Sequence, residues 1–240
     1  MSTSDCFEEQ SSSATLGILM LETRFPRPPG DIGNATTWPF PVLYRVMRGA
    51  SAERVVLQDA QGLLPDFIEA ARELVQLGAE AITTSCGFLV LFQRELAAAV
   101  GVPVATSALL QVPWLQSTLP PGRRVGVVTI SASTLTPQHL AAAGAAPDTP
   151  LAGVEHGREL YRVLVEGEGD SLDSARAEQD VVEAGRALVA QHPEVGAIVL
   201  ECTNMPPYAA ALQAGVGLPV YDICSMIGWL HAGLRSRSYG

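Results

Sequence analysis

The chain has 240 residues, of which 48% are apolar and 17% charged, and its formal net charge is −10 at pH 7. This composition supplies a large hydrophobic core, which excludes a disordered or fibrous protein. The acidic balance and the scattered basic residues argue against nucleic acid as a partner. The apolar runs are far shorter than the roughly 20 residues that cross a bilayer, so no membrane contact is predicted.

The first 15 residues are Ser-rich and polar, and they predict a flexible tail. They lack the basic and apolar regions of a secretory signal, so a cytoplasmic protein is expected. Four cysteines lie far apart without a Cys-x-x-Cys pair: Cys6, Cys86, Cys202 and Cys224. We therefore expect free thiols, with neither a disulfide framework nor a metal site.

Strand and helix patterns alternate along the chain. The apolar segment 16–21 predicts a strand buried on both faces of a parallel sheet, and a proline- and glycine-rich loop over residues 22–34 follows it. Further patterns predict helices over 63–77, 89–100, 107–117 and 223–234, and strands over 81–84, 102–105 and 125–130. This alternation predicts an α/β protein with parallel sheets.

An internal repeat is the most informative feature. Residues 81–87 match residues 197–203 at an offset of 116, and the same offset aligns Gly-Val-Pro-Val at 101–104 with Gly-Leu-Pro-Val at 217–220. The repeat predicts two pseudosymmetric lobes over residues 16–119 and 120–240, each a short parallel sheet flanked by helices, with an active-site cleft between them. The C-terminal helix is free to pack back on the first lobe.

The repeat pairs Cys86 with Cys202, each after a predicted strand and before a predicted helix. Because ligands of α/β proteins bind at the carboxyl ends of parallel strands, two facing lobes would bring both thiols into one cleft. A lone free cysteine is more often a packing residue, but pairing at this offset favours a function. A helix N-terminus lowers a thiol pKa, so one thiolate and one thiol can coexist at neutral pH and invert an acidic carbon from opposite faces.

The segment 201–206, Glu-Cys-Thr-Asn-Met-Pro, resembles the Gly-Cys-Thr-x-x-Pro motif of the aspartate/glutamate racemase superfamily. The segment 85–88, Ser-Cys-Gly-Phe, keeps the first cysteine but lacks the Asn-Thr that follows it in amino-acid racemases. Asn204 stands where glutamate racemases carry a histidine, which makes glutamate itself a less favoured substrate. The resemblance implies a cofactor-independent amino-acid racemase with Cys86 and Cys202 as catalytic residues, a small carboxylate substrate and a homodimer.

Hydroxyls and backbone N–H groups around the two cysteines are candidate ligands for the oxygens of an enolate-like intermediate. The resemblance adds the loop after the first strand of the second lobe as a carboxylate site. Arg24 and Arg27, in the loop after the first strand of the chain, are candidate partners for a second acidic group on the substrate. The predicted substrate-binding residues are Thr84, Ser85, Gly87, Phe88, Thr129, Ser131, Thr134, Thr203, Asn204 and Arg24.

Two alternatives stay open at this point. The missing Asn-Thr and histidine favour hydantoin racemisation or a maleate-type isomerisation on the same fold. A non-catalytic protein whose lobes close on a metabolite is the alternative from another class. The decarboxylase branch of the superfamily keeps only the second cysteine, so the presence of both argues against decarboxylation.

Overall fold

The structure is a computed structural model that describes residues 13–168 and 171–236. Most of the tail predicted over residues 1–15, with Cys6, lies outside these ranges. The first lobe contains, in chain order, β1 (Leu16–Leu21), β2 (Val42–Met47), α1 (Ala52–Val56), α2 (Leu64–Gln76), β3 (Ala81–Thr84), α3 (Gln93–Ala99), β4 (Val104–Ala105) and α4 (Val112–Thr118). Short 3-10 helices cover Ala35–Thr37, Gly87–Phe92 and Ala108–Gln111.

The second lobe repeats this plan. It contains β5 (Arg124–Thr129), α5 (Pro137–Ala142), β6 (Leu151–Gly153), α6 (Leu160–Leu164), α7 (Ser174–Gln191), β7 (Val195–Leu200), α8 (Ala209–Val216), β8 (Val220–Tyr221) and α9 (Ile223–Leu234), with a 3-10 helix at Pro206–Tyr208. None of the helices in the described ranges has the length and apolar character that crossing a membrane requires.

Each lobe has one parallel four-stranded sheet. The strand orders are β2-β1-β3-β4 and β6-β5-β7-β8, so the two sheets have the same topology. The central strands are buried because helices cover both faces, as their nearly continuous apolar sequences predict. The predicted α/β fold with two pseudosymmetric lobes is confirmed.

The last helix packs on the first lobe, although it follows the second in sequence. Ile223 and Ile227 are fully buried, and the His231 ring stacks on Phe40 with centroids 3.7 Å apart. The Gln111 amide donates to the backbone oxygen of Asp222 at 2.9 Å, at the start of α9. The helix begins at a capping box in which the Asp222 carboxylate accepts from the Ser225 N–H. Helix α9 therefore ties the end of the second lobe to the first lobe.

Several local predictions differ from the structure. The strand predicted over 102–105 covers only Val104–Ala105, and the helix predicted over 107–117 begins as a 3-10 helix and is α-helical only from Val112. The segment predicted as one helix over 89–100 begins earlier, as a 3-10 helix at Gly87, and becomes α-helical only at Gln93. Strand β2 was not predicted, because it pairs with β1 at the sheet edge and mixes exposed and partly buried residues instead of forming an apolar run. The 3-10 helix lies directly after Cys86, and β2 lies at the outer edge of the first sheet.

Candidate functional site

The two repeated cysteines line one cleft between the lobes. Cys86 follows β3 and precedes the 3-10 helix at Gly87, and Cys202 follows β7. Strands β3 and β7 hold the same place in their sheets, so the carboxyl ends of both face the same space. The cleft is narrow, with a cavity volume of about 30 Å³.

A hydrogen bond joins the two cysteine loops directly. The Thr203 hydroxyl donates to the backbone oxygen of Ser85 at 2.6 Å, and both residues are buried. Ser85 is fixed in turn to the first strand, because its hydroxyl accepts from the Leu21 N–H at 2.8 Å. This arrangement sets the separation of the loops that carry Cys86 and Cys202.

Glu201, immediately before Cys202, has a fully buried carboxyl group in the wall of the cleft. One oxygen, Oε2, accepts from the Thr129 hydroxyl at 2.8 Å, whereas Oε1 has no hydrogen-bond partner among the described residues. Oε1 faces the other cysteine loop: a Cβ added to Gly87 would lie 2.2 Å from it. Glycine is therefore required at position 87 because Glu201 occupies the space that a side chain would need.

Burial controls the ionisation of all three acidic groups. It raises the pKa of Glu201 to about 7, against the lowering effect of the Thr129 hydrogen bond. Burial, followed by the Glu201 charge, also raises the pKa of the Cys86 and Cys202 thiols. The sequence expectation that a helix N-terminus lowers a thiol pKa is wrong for this structure, because desolvation outweighs the backbone N–H groups at each loop.

A buried polar network connects the first loop to Cys202. The Asp31 carboxylate accepts from Arg27 at 2.7 Å and from the Asn204 side-chain amide at 2.6 Å. Asn204 then accepts, through Oδ1, from the Cys202 thiol at an Sγ–Oδ1 distance of 3.6 Å. Because a carboxylate only accepts hydrogen bonds, Asp31 fixes which way the Asn204 amide points.

Arg27 is the only Arg or Lys among the described residues that line the cleft. Its guanidinium also contacts the Thr23 hydroxyl and lies 4.6 Å from the centre of the Phe25 ring. Asp31 and Thr23 use two of its five N–H donors, so others remain for a carboxylate. Apolar side chains form much of the remaining wall: Leu21, Phe25, Phe88, Ile130, Leu164 and Val165.

The structure brings six of the predicted substrate-binding residues to the cleft or its margin. Ser85, Gly87, Phe88, Thr203 and Asn204 line it, and Thr84 lies directly beneath Cys86. The Thr84 hydroxyl, however, donates to the backbone oxygens of Cys86 and Thr106, at 2.9 and 2.7 Å. It supports the cysteine loop and is not directed at a substrate.

The other predicted residues lie elsewhere. Thr129 contacts Glu201 as described, and Ser131 and Thr134 are not part of the cleft wall. The backbone N–H groups of the loop after β5, at Ala132 and Ser133, both donate to the Glu155 carboxylate. That loop is thus occupied by a carboxylate of the chain itself, which disfavours it as the substrate carboxylate site.

Arg24 is exposed and lines a neighbouring surface depression instead of the cysteine cleft. Arg27, three residues further along the same loop, lines the cleft and takes the place predicted for Arg24. Glu201 and Asp31 were not predicted as site residues. A charged residue directly after the buried run 195–200 is the sequence signal for Glu201, whereas nothing local distinguishes Asp31.

Within the described ranges, His, Cys, Asp and Glu side chains form no group of three or more that could hold a metal ion.

A family model described as Asp/Glu/Hydantoin racemase matches residues 114–230. Solved structures of the same fold include an unliganded arylmalonate decarboxylase, with 16% identity, 92% of each chain covered and a TM-score of 0.55. A glutamate racemase isoform from Bacillus anthracis is 15% identical over 93% of this chain and 84% of its own, with a TM-score of 0.57.

The curated sequence relatives are named as lyases, not as racemases or decarboxylases. A protein named dimethylsulfoniopropionate lyase from Durusdinium sp. clade D is 28% identical, over 87% of this chain and 71% of its own length. Dimethylsulfoniopropionate lyase 5 from Emiliania huxleyi is 26% identical over 97% of this chain. The chain spans only 48% of that second relative, so about half of the relative has no counterpart here.

Proposed function

We propose that the chain belongs to the aspartate/glutamate racemase superfamily, whose family model matches residues 114–230, and that it is an enzyme that removes a proton from the carbon next to a carboxylate. One observation carries this proposal: Cys86 and Cys202, which the repeat pairs, line the same cleft. Two thiols on opposite loops are suited to act as general base and general acid on one carbon.

Arg27 is the proposed partner of the substrate carboxylate. It is the cation of the cleft wall among the described residues, and it is held in place by Asp31 and Thr23. A fixed guanidinium can donate two parallel, charge-assisted hydrogen bonds to the two oxygens of a carboxylate, and these bonds set its orientation. Pairing there also withdraws charge from the adjacent carbon, which acidifies the hydrogen to be removed.

The rest of the wall favours a substrate whose other end is alkylated. Apolar side chains dominate, and Glu201 is the one carboxylate among the described lining residues. Burial raises the pKa of Glu201 to about 7, so its negative charge is partly lost near neutral pH and it pairs less strongly with an ammonium group than an ordinary carboxylate does. A dimethylsulfonium group has no N–H donors and presents methyl groups to such a wall.

The first candidate reaction is therefore the elimination of dimethyl sulfide from dimethylsulfoniopropionate, the substrate in the names of the curated relatives. A thiolate takes the proton from the α-carbon, so an S–H bond forms as the C–H bond breaks. The electron pair forms the carbon–carbon double bond, and the β-carbon–sulfur bond breaks with its electrons leaving on sulfur. The products are acrylate, dimethyl sulfide and the proton that the thiol later releases to water.

Amino-acid racemisation, the function predicted from the sequence, is the second candidate. The pair of thiols favours it, because elimination needs one base whereas inversion needs a base on one face and an acid on the other. Both reactions begin with the same proton transfer. They differ in whether the intermediate has a leaving group on the β-carbon.

Incubation with dimethylsulfoniopropionate tests the first candidate, with acrylate followed by NMR and dimethyl sulfide by headspace gas chromatography. We expect equal amounts of both products from the wild type and from the Cys224→Ser control, whose thiol donates to the Gly30 backbone oxygen outside the cysteine pair. Cys86→Ser or Cys202→Ser should lower the rate, by about 100-fold or more where the substituted thiol is the general base.

A parallel panel in heavy water separates the candidates. Loss of the α-hydrogen signal from aspartate, glutamate or a hydantoin, without acrylate formation from the sulfonium substrate, would move the proposal to racemisation. Absence of both elimination and exchange across the panel, with folded protein, would contradict proton abstraction and favour the metabolite-binding alternative.

A further inference from the structure

The two thiols have unlike surroundings, and the difference bears on which one removes the proton. Cys202 donates to Oδ1 of Asn204, an acceptor whose orientation Asp31 fixes from the other side. An acceptor beside a thiol stabilises the protonated form, because the thiolate has no hydrogen to donate to it. No comparable side-chain acceptor contacts the Cys86 thiol in the described part of the chain.

The nearby charges act in the same direction. The charged and titratable groups that face the thiols come from three segments: Arg27 and Asp31 from the β1–β2 loop, Cys86 from the first cysteine loop, and Glu201 and Cys202 from the second. Glu201 opposes ionisation of both thiols. Arg27 favours ionisation of Cys86, whereas Asp31 opposes ionisation of Cys202.

We infer that Cys86 is the base that removes the substrate proton and that Cys202 rests as the protonated thiol, held in that state by Asn204 and Asp31. This inference deepens the proposed function by assigning its two roles. Cys86 is also the more exposed of the two residues. Asn204 and Asp31 are positioning residues, because they act through Cys202.

In an elimination, the neutral leaving sulfide needs no proton. The Cys202 thiol then donates a hydrogen bond to the charge that develops on the substrate carboxylate. In a racemisation, the same thiol delivers its proton to the opposite face of the carbon. The assignment therefore predicts that Cys202 is required for inversion in a racemisation and only assists an elimination, whereas Cys86 is needed in both reactions for the C–H bond to break.

The pH dependence of alkylation by iodoacetamide tests the assignment without any substrate. Each thiol is followed by peptide mass spectrometry in the variant that lacks the other, Cys202→Ser or Cys86→Ser, so that the two titrations do not couple. We expect the midpoint for Cys86 to lie at least about one pH unit below that for Cys202. Equal midpoints, or a lower midpoint for Cys202, would overturn the assignment.

Asp31→Asn removes the negative charge while keeping the size of the side chain. We expect it to lower the midpoint of Cys202, and Asp66→Asn, at an exposed position on α2, serves as the matched charge control. A change in overall packing alone would alter the amplitude of alkylation of both thiols but would not move one midpoint. An unchanged Cys202 midpoint in folded Asp31→Asn protein would contradict the role of Asp31.

Exchange of the substrate α-hydrogen in heavy water supplies the second arm. We expect Cys202→Ser to retain exchange and Cys86→Ser to lose it. The reverse pattern would overturn the assignment while leaving the proposed reaction intact. Failure of the proposed reaction, by contrast, would show as absent turnover in the wild type and would leave the alkylation midpoints as the deciding measurement.

Discussion

The cysteine loops of the two lobes occupy equivalent places in matching sheets, but their neighbours differ. In the first lobe, Cys86 is followed by an apolar 3-10 helix in which all residues except Leu91 are buried. In the second lobe, Cys202 lies between the buried polar residues Glu201 and Thr203, with Asn204 beside them. The comparison teaches that a repeat can preserve backbone and nucleophile while giving the two thiols different electrostatic surroundings.

Glu201→Gln tests the effect of the buried carboxyl beside Cys202, which is the largest difference between the two cysteine loops. Burial raises the folded pKa of this carboxyl from 4.5 to about 7, so its neutral form is the one the fold favours. The contribution of the Glu201 carboxyl to the free energy of unfolding is fully present below about pH 4.5, and it is lost as the pH rises through about 7. We therefore expect Glu201→Gln to be more stable than the wild type at pH 8, by roughly 3 kcal/mol, and similar to it at pH 4.5.

Urea unfolding at the two pH values measures this effect. Glu183→Gln removes an exposed carboxyl on α7 and should show no such dependence relative to the wild type. A difference between wild type and Glu201→Gln that does not change with pH would mean that the pKa of Glu201 is not raised in the folded protein.

Arg27→Gln tests whether carboxylate binding belongs to the first lobe alone. Loss of a charge-assisted hydrogen bond of about 1.5 to 3 kcal/mol should raise KM for the active carboxylate by roughly 10- to 100-fold. Arg24→Gln, in the same loop but outside the cleft, should leave KM unchanged. Ser131→Ala should also have little effect, because Glu155 occupies the loop amides next to it in the second lobe.

Steady-state kinetics with the carboxylate that proves active in the turnover and exchange assays gives these values. A larger KM effect for Ser131→Ala than for Arg27→Gln would transfer the carboxylate site to the second lobe.

Gly87→Ala tests how closely the loops approach. The new Cβ would lie 2.2 Å from Glu201 Oε1 and 2.6 Å from the Glu201 backbone oxygen, so the loops must separate. We expect a loss of about 2 kcal/mol in the free energy of unfolding. Gly101→Ala, where no atom lies within 4 Å of the added Cβ, is the control, and equal losses for the two variants would contradict the close approach.

Thr203→Val addresses the hydrogen bond between the loops. It leaves the Ser85 backbone oxygen without the donor at 2.6 Å and should destabilise the protein by about 1 kcal/mol. The same measurement on Thr118→Val, whose hydroxyl donates only to the backbone oxygen one turn before it on α4, gives a local comparison. A Thr203 effect no larger than the Thr118 effect would show that this contact does not hold the loops.

Much of the fold was predictable from the sequence because the repeat and the buried apolar strands are local signals. Strand β1 and helix α9 have the bounds predicted for them. Strand β2 was not predictable in this way, because an edge strand need not be apolar and its sequence contains Arg45.

The candidate site was predictable only in part. Cys86 and Cys202 follow from the repeat, but the contact between Asp31 and Asn204 joins residues 173 positions apart and depends on how the lobes meet. The ionisation of the thiols also depends on how the lobes pack together, since burial and the Glu201 charge raise the thiol pKa values against the lowering effect of the local backbone N–H groups. Sequence patterns report which residues face inward, whereas they do not report which inward-facing residues become neighbours.

The return of α9 to the first lobe has a consequence for synthesis. A growing chain emerges from the ribosome with its N-terminal part first, so the first sheet is available long before residues 223–234 exist. Until then, Phe40 and the surface that Ile223 and Ile227 cover remain open to solvent or to a chaperone. The first half of the molecule is thus the first to be made and the last to be completed.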